Sequence, residues 1–410
     1  MFIVNEPVYS FQDPWAIPFS ERYRSLCDGT VKVAYFYEKP DTSTFRYRVY
    51  NMIQVLRSLG GEVGASFFGN DDRDDLDLVI DTADVIVICR AKYNAHLNRM
   101  VTRARAKGKR VLFDVDDLIF NTDYTHLILR TLDQDTEPSE AWDHWFGMIG
   151  RIGATLKMCD GAITTNKYLG ERLTEFSGLP YSIVPNFLNK EQLEISDRIF
   201  NEKMSSNFRR NDEIHIGYFS GTPTHNHDFA MVAKSLARIM REDKRVRLLV
   251  VGFLELKEGL EDFADRITFY PLQDFINLQR LMSLVEINIV PLLDNGFTNC
   301  KSELKYFEAA VVGTITIASP IYSYASAIRH GENGYLSAST DWYRRISEAI
   351  DALSNYREIA LVARQKAIDQ YAWFNQLGRI ESAVFERPDM HATASGLRKA
   401  ISSISGGTLV

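Results

Sequence analysis

The stretch from Asn295 to Ser319, NGFTNCKSELKYFEAAVVGTITIAS, concentrates the residue types that could do chemistry. An apolar strand pattern (EINIVPL) precedes it, and a polar loop leads into a helix expected to start near Ser302. At helical spacing Lys301, Lys305 and Glu308 share one stripe, while Leu304, Phe307 and Val311 form the apolar face. The start of a helix presents free backbone N–H groups and the positive end of its dipole, so it attracts anions. Two ammonium groups at that position can neutralise a diphosphate without a metal ion. A carboxylate two turns along can accept both hydroxyls of a ribose. The same pattern also fits a solvated face whose charges pair at i,i+4.

Two clusters in the first half are also suggestive. VLFDVDDLIFN (111–121) is a strand pattern running into Asp114, Asp116 and Asp117. Hard carboxylates at such spacing suit Mg²⁺, sugar hydroxyls, or the capping of a helix by Asp117. The loop after the first strand carries Thr42, Ser43, Thr44, Arg46 and Arg48. The two arginines lie two positions apart, so at most one is expected to face a cleft; a cation near a helix start without an anion is mildly unfavourable, which points to Arg48. Arg46 and Arg48 are both read as phosphate or acceptor contacts.

These residues need elements to hold them. VKVAYFY (31–37), EVGASFF, DVIVIC, RVLFDV and GAITT read as strands separated by helical patterns, and a second cycle opens at Ile214 with IHIGYFSG, VRLLVVG, RITFYP, EINIVPL and TITIAS. Alternating strand and helix predicts parallel sheets covered on both faces. The expected layout is a Rossmann-like first domain over 1–190 with a helical excursion at 120–155, then a linker over 191–212 carrying a solvated helix. A second Rossmann-like domain over 213–355, helices over 356–384 and a small, polar tail over 385–410 complete it. Two such halves make a cleft enzyme, because ligands bind at strand carboxyl ends and between domains.

Composition narrows the class. Hydrophobic residues are 45% and charged residues 25%, as in a globular protein with a large core, and the net charge of −7 gives no basic signal for nucleic acid. Cys27, Cys89, Cys159 and Cys300 stand apart with no metal spacing, which favours a reducing compartment. No apolar run approaches the ~20 residues of a membrane span, and the N-terminal residues do not form a secretory signal. The expectation is a cytoplasmic protein, with peripheral contact at the inner face of a membrane left open. Neither first strand-to-helix turn carries GxGxxG, which disfavours a nicotinamide enzyme.

KSELKYFEAAVVGTITIAS resembles the donor-site helix of GT-B glycosyltransferases related to the retaining family 4 (group 1) enzymes, and the variant KSxLKYxEA with SGTxTHxxDF resembles those of bacterial surface-polysaccharide synthesis. VPNFLN resembles the segment entering the hinge, IGYFSGTPTH the glycine loop of the second domain, and GENGYL (331–336) the turn after the donor helix. The resemblance covers roughly 160–340. It implies an α/β GT-B fold with two Rossmann-like domains facing a cleft, the last helices returning toward the first domain. The implied reaction is transfer of a hexosyl or deoxyhexosyl group from a nucleoside diphosphate sugar to a carbohydrate acceptor, which includes a lipid-linked one, with retention. The sugar nucleotide is a substrate, and neither cofactor nor metal is implied.

By that resemblance Glu308 binds the donor ribose, and Gly221, Thr222, His225, Lys301, Ser302, Leu304 and Lys305 complete the donor-nucleotide site. Cys300 replaces the first glutamate of the family's pair, and histidines (His225, His227) replace the basic residues usual after the glycine loop. Lys301, Lys305 and His225 then carry the phosphate charge, and Lys301, Ser302 and Glu303 are nearest the transferred sugar. Asp116, Asp117 and Glu303 are the catalytic candidates, the two aspartates on the acceptor side. The aspartates also admit a DxD metal site of GT-A enzymes or a dehalogenase-like phosphatase. A GT-B-like epimerase or phosphorylase fits the residues too, as does a non-catalytic sugar-binding module of a polysaccharide assembly.

Overall fold

The computed structural model describes residues 1–386 except 133, 136 and 221–225. Within them twelve strands form two sheets. The first holds β1 (Val31–Phe36), β2 (Val63–Phe68), β3 (Val85–Cys89), β4 (Arg110–Val115), β5 (Gly161–Thr164) and β6 (Tyr181–Ile183). The second holds β7 (Ile214–Phe219), β8 (Val246–Val251), β9 (Ile267–Tyr270), β10 (Ile287–Val290), β11 (Ile315–Ala318) and β12 (Tyr335–Leu336). All ten of their pairings are parallel. The strands are short and mostly apolar, and most of their positions are buried, as expected for sheets covered by helices on both faces.

The strand orders are 2-1-3-4-5-6 and 12-11-10-7-8-9. Each order reverses once beside its first strand, between β1 and β3 in one sheet and between β7 and β10 in the other. Chain direction makes the connections leaving those strands diverge at the reversal, and a crevice forms at their carboxyl ends. Both crevices open into one space between the halves. A shared apolar core runs beneath it, including Phe45, Tyr47 and Phe187 from the first half, Phe275, Phe307 and Tyr324 from the second, and Tyr371 and Ile380 beyond.

Three segments depart from the layout read from sequence. The first domain does not begin at residue 1: Ile3 N–H bonds Arg209 O at 3.1 Å, Tyr9 and Asn277 bond mutually at 2.9 and 3.0 Å, and Phe11 meets Phe275. Residues 1–11 thus lie along the second half, drawn there by aromatic side chains that need burial. The linker helix, Lys190–Ser205, is not solvated; Leu193, Ile195, Ile199 and Phe200 are buried, and the helix packs on helices 275–284 and 304–311. Of the last helices, Tyr356–Tyr371 lies mainly against helix 304–311, while Trp373–Asn375 and Leu377–Phe385 pack on the first half, where Arg110 donates to Val384 O at 2.8 Å. The tail from 387 to 410 lies outside the described residues. No helix among the described residues is long and apolar enough to cross a membrane.

Candidate active site

A cavity of about 890 Å³ fills the space where the two crevices meet. Its walls come from the loop after β1, the ends of β3 and β4, the helix Ser139–Leu156, and the carboxyl ends of β7, β8 and β10. One end is apolar, formed by Phe219, Val251, Leu272, Leu278 and Met282. Close approach of two strand ends there requires glycine. Gly252 has φ +96°, and a Cβ on it would sit 2.0 Å from Ser220 O.

The loop leaving β10 is shaped by its own side chains. Asn295 Oδ1 accepts from the N–H groups of Phe297 and Thr298 at 2.9 and 3.0 Å, and one tight turn follows at Thr298–Cys300. Lys301 is extended, with φ −69° and ψ 152°, so it precedes the helix Leu304–Val311 instead of sharing its stripe. Its N-cap residue, Glu303, makes no side-chain cap hydrogen bond, and the start of such a helix attracts anions. Ser302 Oγ accepts from Asn186 Nδ2 at 3.0 Å, tying the loop to the first half. Glu303 is not among the residues lining the cavity. Its carboxylate accepts from Tyr371 Oη at 2.5 Å, which ties the loop to the final helices.

Glu308 is 2% exposed and lines the cavity. Its Oε1 accepts from Arg46 Nη2 at 3.2 Å, from Gln192 Nε2 at 2.9 Å and from Tyr47 Oη. Its Oε2 makes no hydrogen bond among the described residues. Lys305, one turn earlier, also lines the cavity and has no ion pair or hydrogen bond from its ammonium among the described residues; the ring of Tyr218 lies 5.7 Å away. Burial lowers its pKa to about 8, against the pull of Asp228. A half-buried ammonium without an ion-paired carboxylate is costly unless an anion joins it. Lys301 reaches across the cavity to Asp117, Nζ to Oδ1 3.6 Å.

The opposite wall belongs to the first half. Arg90, just past β3, has φ +50°, the left-handed region that arginine seldom occupies. Its Nη1 donates to Asp116 Oδ1 at 2.9 Å and to Thr44 Oγ1 at 2.7 Å, and lies 3.8 Å from Asp117. Asp116 and Asp117 therefore line the cavity within one network of Thr44, Arg90 and Lys301. Backbone strain held at such a position is characteristic of functional sites.

The two arginines of the first loop separate. Arg46 lines the cavity beside Glu308. Arg48, favoured for the cleft by its place near a helix start, is fully buried away from it, with its guanidinium bidentate to Asp114 at 2.7 and 3.0 Å and donating to Val184 O at 2.7 Å. The anion that the sequence required is Asp114 itself. That also removes Asp114 from any set of metal ligands. Among the described residues no group of three His, Cys, Asp or Glu side chains converges to hold a metal. Gly221, Thr222 and His225 lie outside the described residues.

Arg90, Tyr47 and Gln192 are functional candidates that reading the sequence does not single out. Arg90 has a usable signal, since it directly follows a buried strand in an α/β sheet, where ligands bind. Tyr47 and Gln192 have none, because an aromatic and an amide in helical runs look like packing.

Residues 213–355 match the family described as glycosyl transferases group 1. No curated protein sequence matches the chain. Among solved structures, Anabaena HepE, in complex with UDP and glucose, aligns with a TM-score of 0.57 at 12% identity, over 86% of this chain and 98% of its own. WaaG, a glycosyltransferase involved in lipopolysaccharide biosynthesis, aligns at 0.58 and 11% identity over 87% and 100%. Sucrose-phosphate synthase from Thermosynechococcus elongatus aligns at 0.55 and 14% identity over 90% and 99%. At such identities the likeness establishes the architecture: the described residues have the GT-B fold.

Proposed function

We propose that the protein is a retaining glycosyltransferase that moves a sugar from a nucleoside diphosphate donor to a carbohydrate hydroxyl, without a metal ion. The observation carrying this reading is Lys305, a cavity ammonium with no carboxylate partner among the described residues, one turn from Glu308, whose Oε2 is unengaged there. A diphosphate answers the first and a ribose the second. The apolar slot by Gly252 suits the base, and the UDP held by HepE makes uridine the first choice.

The reaction breaks the bond from anomeric carbon to phosphate oxygen and forms one to the acceptor oxygen on the same face. The acceptor proton passes to the departing phosphate. Lys305, Lys301 and the helix N-terminus face the negative charge that grows on that phosphate, and fixed charge is most effective where charge develops. Asp116 and Asp117, held by Arg90, orient the acceptor hydroxyls; the acceptor is a glycan of surface-polysaccharide type, free or lipid-linked.

The test is diphosphate release from a panel of nucleotide sugars, with and without glycan acceptors. Release that depends on an acceptor is expected. Turnover without acceptor would instead indicate an epimerase, and no nucleotide binding at all would leave only a sugar-binding module.

A further inference from the structure

The carboxylate assigned to the ribose is held by the wrong half of the molecule for a simple nucleotide-binding domain. Glu308 sits on a helix of the second half, yet two of its three donors, Arg46 and Tyr47, come from the helical segment after β1 in the first. The third, Gln192, belongs to the helix joining the halves. Arg46 Nη1 also donates to Gln192 Oε1 at 3.0 Å, which closes a ring of Arg46, Gln192 and Glu308 and fixes which way the amide faces. Arg46 Nε donates to Thr42 O at 3.0 Å, and its guanidinium stacks on Tyr47 and Phe275 at 4.0 and 4.9 Å. The guanidinium therefore cannot swing to a ligand without abandoning several partners at once.

A carboxylate oxygen has about two lone pairs for acceptance, so three donors saturate Oε1. Only Oε2 remains for a ligand. We infer that Arg46 and Tyr47 are positioning residues for nucleotide recognition: they aim Glu308 from the opposite half, so that ribose hydroxyls are read through Oε2 alone and only while the halves are docked. This rests on Glu308 being the ribose acceptor. It gives Arg46 a task other than phosphate or acceptor contact, and it makes donor selection a property of both halves.

The test compares ribo- and 2′,3′-dideoxynucleoside diphosphates of uracil, guanine and adenine by calorimetry on the full chain. The parent protein is expected to prefer the ribo form. Tyr47→Phe, which keeps the ring and removes only the hydroxyl, should cut that preference by roughly fivefold or more while dideoxy affinity holds. Arg46→Met should cut it further, and Arg46→Lys should restore part. Thermal unfolding checks folding, and Tyr47→Phe decides alone if Arg46→Met does not fold. Equal weakening of both nucleotides, or an unchanged preference, overturns the inference and leaves the ribose assignment standing. A parent protein that ignores the loss of both hydroxyls overturns the ribose assignment itself, and the positioning role with it.

Discussion

Replacing Glu308 by glutamine changes one atom in a place where the surroundings dictate how the new group must sit. Three donors converge on Oε1, so the amide of Glu308→Gln has to turn its carbonyl toward Arg46, Tyr47 and Gln192. The NH₂ then occupies the position of Oε2. An acceptor facing the cavity becomes a donor, and the ribose meets the wrong partner. Loss of a charge-assisted hydrogen bond amounts to about 1.5–3 kcal/mol, which is roughly 10- to 150-fold in Kd. The substitution also removes the carboxylate beside Arg46, which is 4% exposed. Stripping one partner from a buried pair costs about 3–5 kcal/mol, and the retained carbonyl makes this an upper bound. Melting is therefore recorded alongside calorimetric titration. Inorganic pyrophosphate supplies the control, because it has no ribose and should bind the variant as well as the parent. A folded variant with unchanged nucleoside diphosphate affinity, or one that loses pyrophosphate equally, refutes the reasoning.

Burial holds Lys305 near a pKa of about 8 without ligand, and a bound diphosphate raises it, so binding takes up a proton above that pH. Nucleoside diphosphate affinity should be flat below about pH 7 and then fall, by up to tenfold per unit, as pH rises through 8 and beyond; Lys305→Met should abolish that slope in titrations across the range. Arg48→Met, which breaks the fully buried pair with Asp114, should lower unfolding free energy by about 3–5 kcal/mol in denaturant melts while the folded fraction keeps its nucleotide affinity. Excess EDTA should leave initial transfer rates unchanged, since Asp114 and Asp116 already face Arg48 and Arg90; loss of activity restored by Mn²⁺ would place the nucleotide at the aspartates instead.

Strand runs such as VKVAYF and IHIGYF are legible because continuous apolar β-branched and aromatic residues suit a buried parallel strand, and the α/β, two-sheet architecture follows from their alternation with helices. The packing of the connectors is not. Helix 190–205 mixes charged and apolar residues enough to look solvated, and only the presence of helices 275–284 and 304–311 decides which face is covered. Residues 1–11 carry no periodicity at all, and their place on the second half is set by contacts more than 190 positions away in sequence. At the site, Lys305 and Glu308 are legible from helical spacing beside a strand end. Spacing alone also puts Lys301 on that stripe, wrongly, because the tight turn at Thr298–Cys300 delays the helix to Leu304. Arg48 misleads for a related reason: the missing anion near the helix start lies 66 residues ahead, in Asp114, and pairing over that distance has no local signature.

The central claim is that the donor diphosphate lies at Lys305 and Lys301 while Asp117 serves the acceptor. Titrating nucleoside and nucleoside diphosphate against Lys305→Ala, Lys301→Ala and Asp117→Asn, with initial transfer rates from the same preparations, tests it most directly. The lysine variants should lose diphosphate affinity far more than nucleoside affinity, and should also turn over more slowly, because charge on the leaving group grows toward the transition state. Asp117→Asn should bind nucleotide nearly normally and transfer poorly. Normal diphosphate binding by both lysine variants, with binding abolished in Asp117→Asn, would put the donor in the other half and contradict the account.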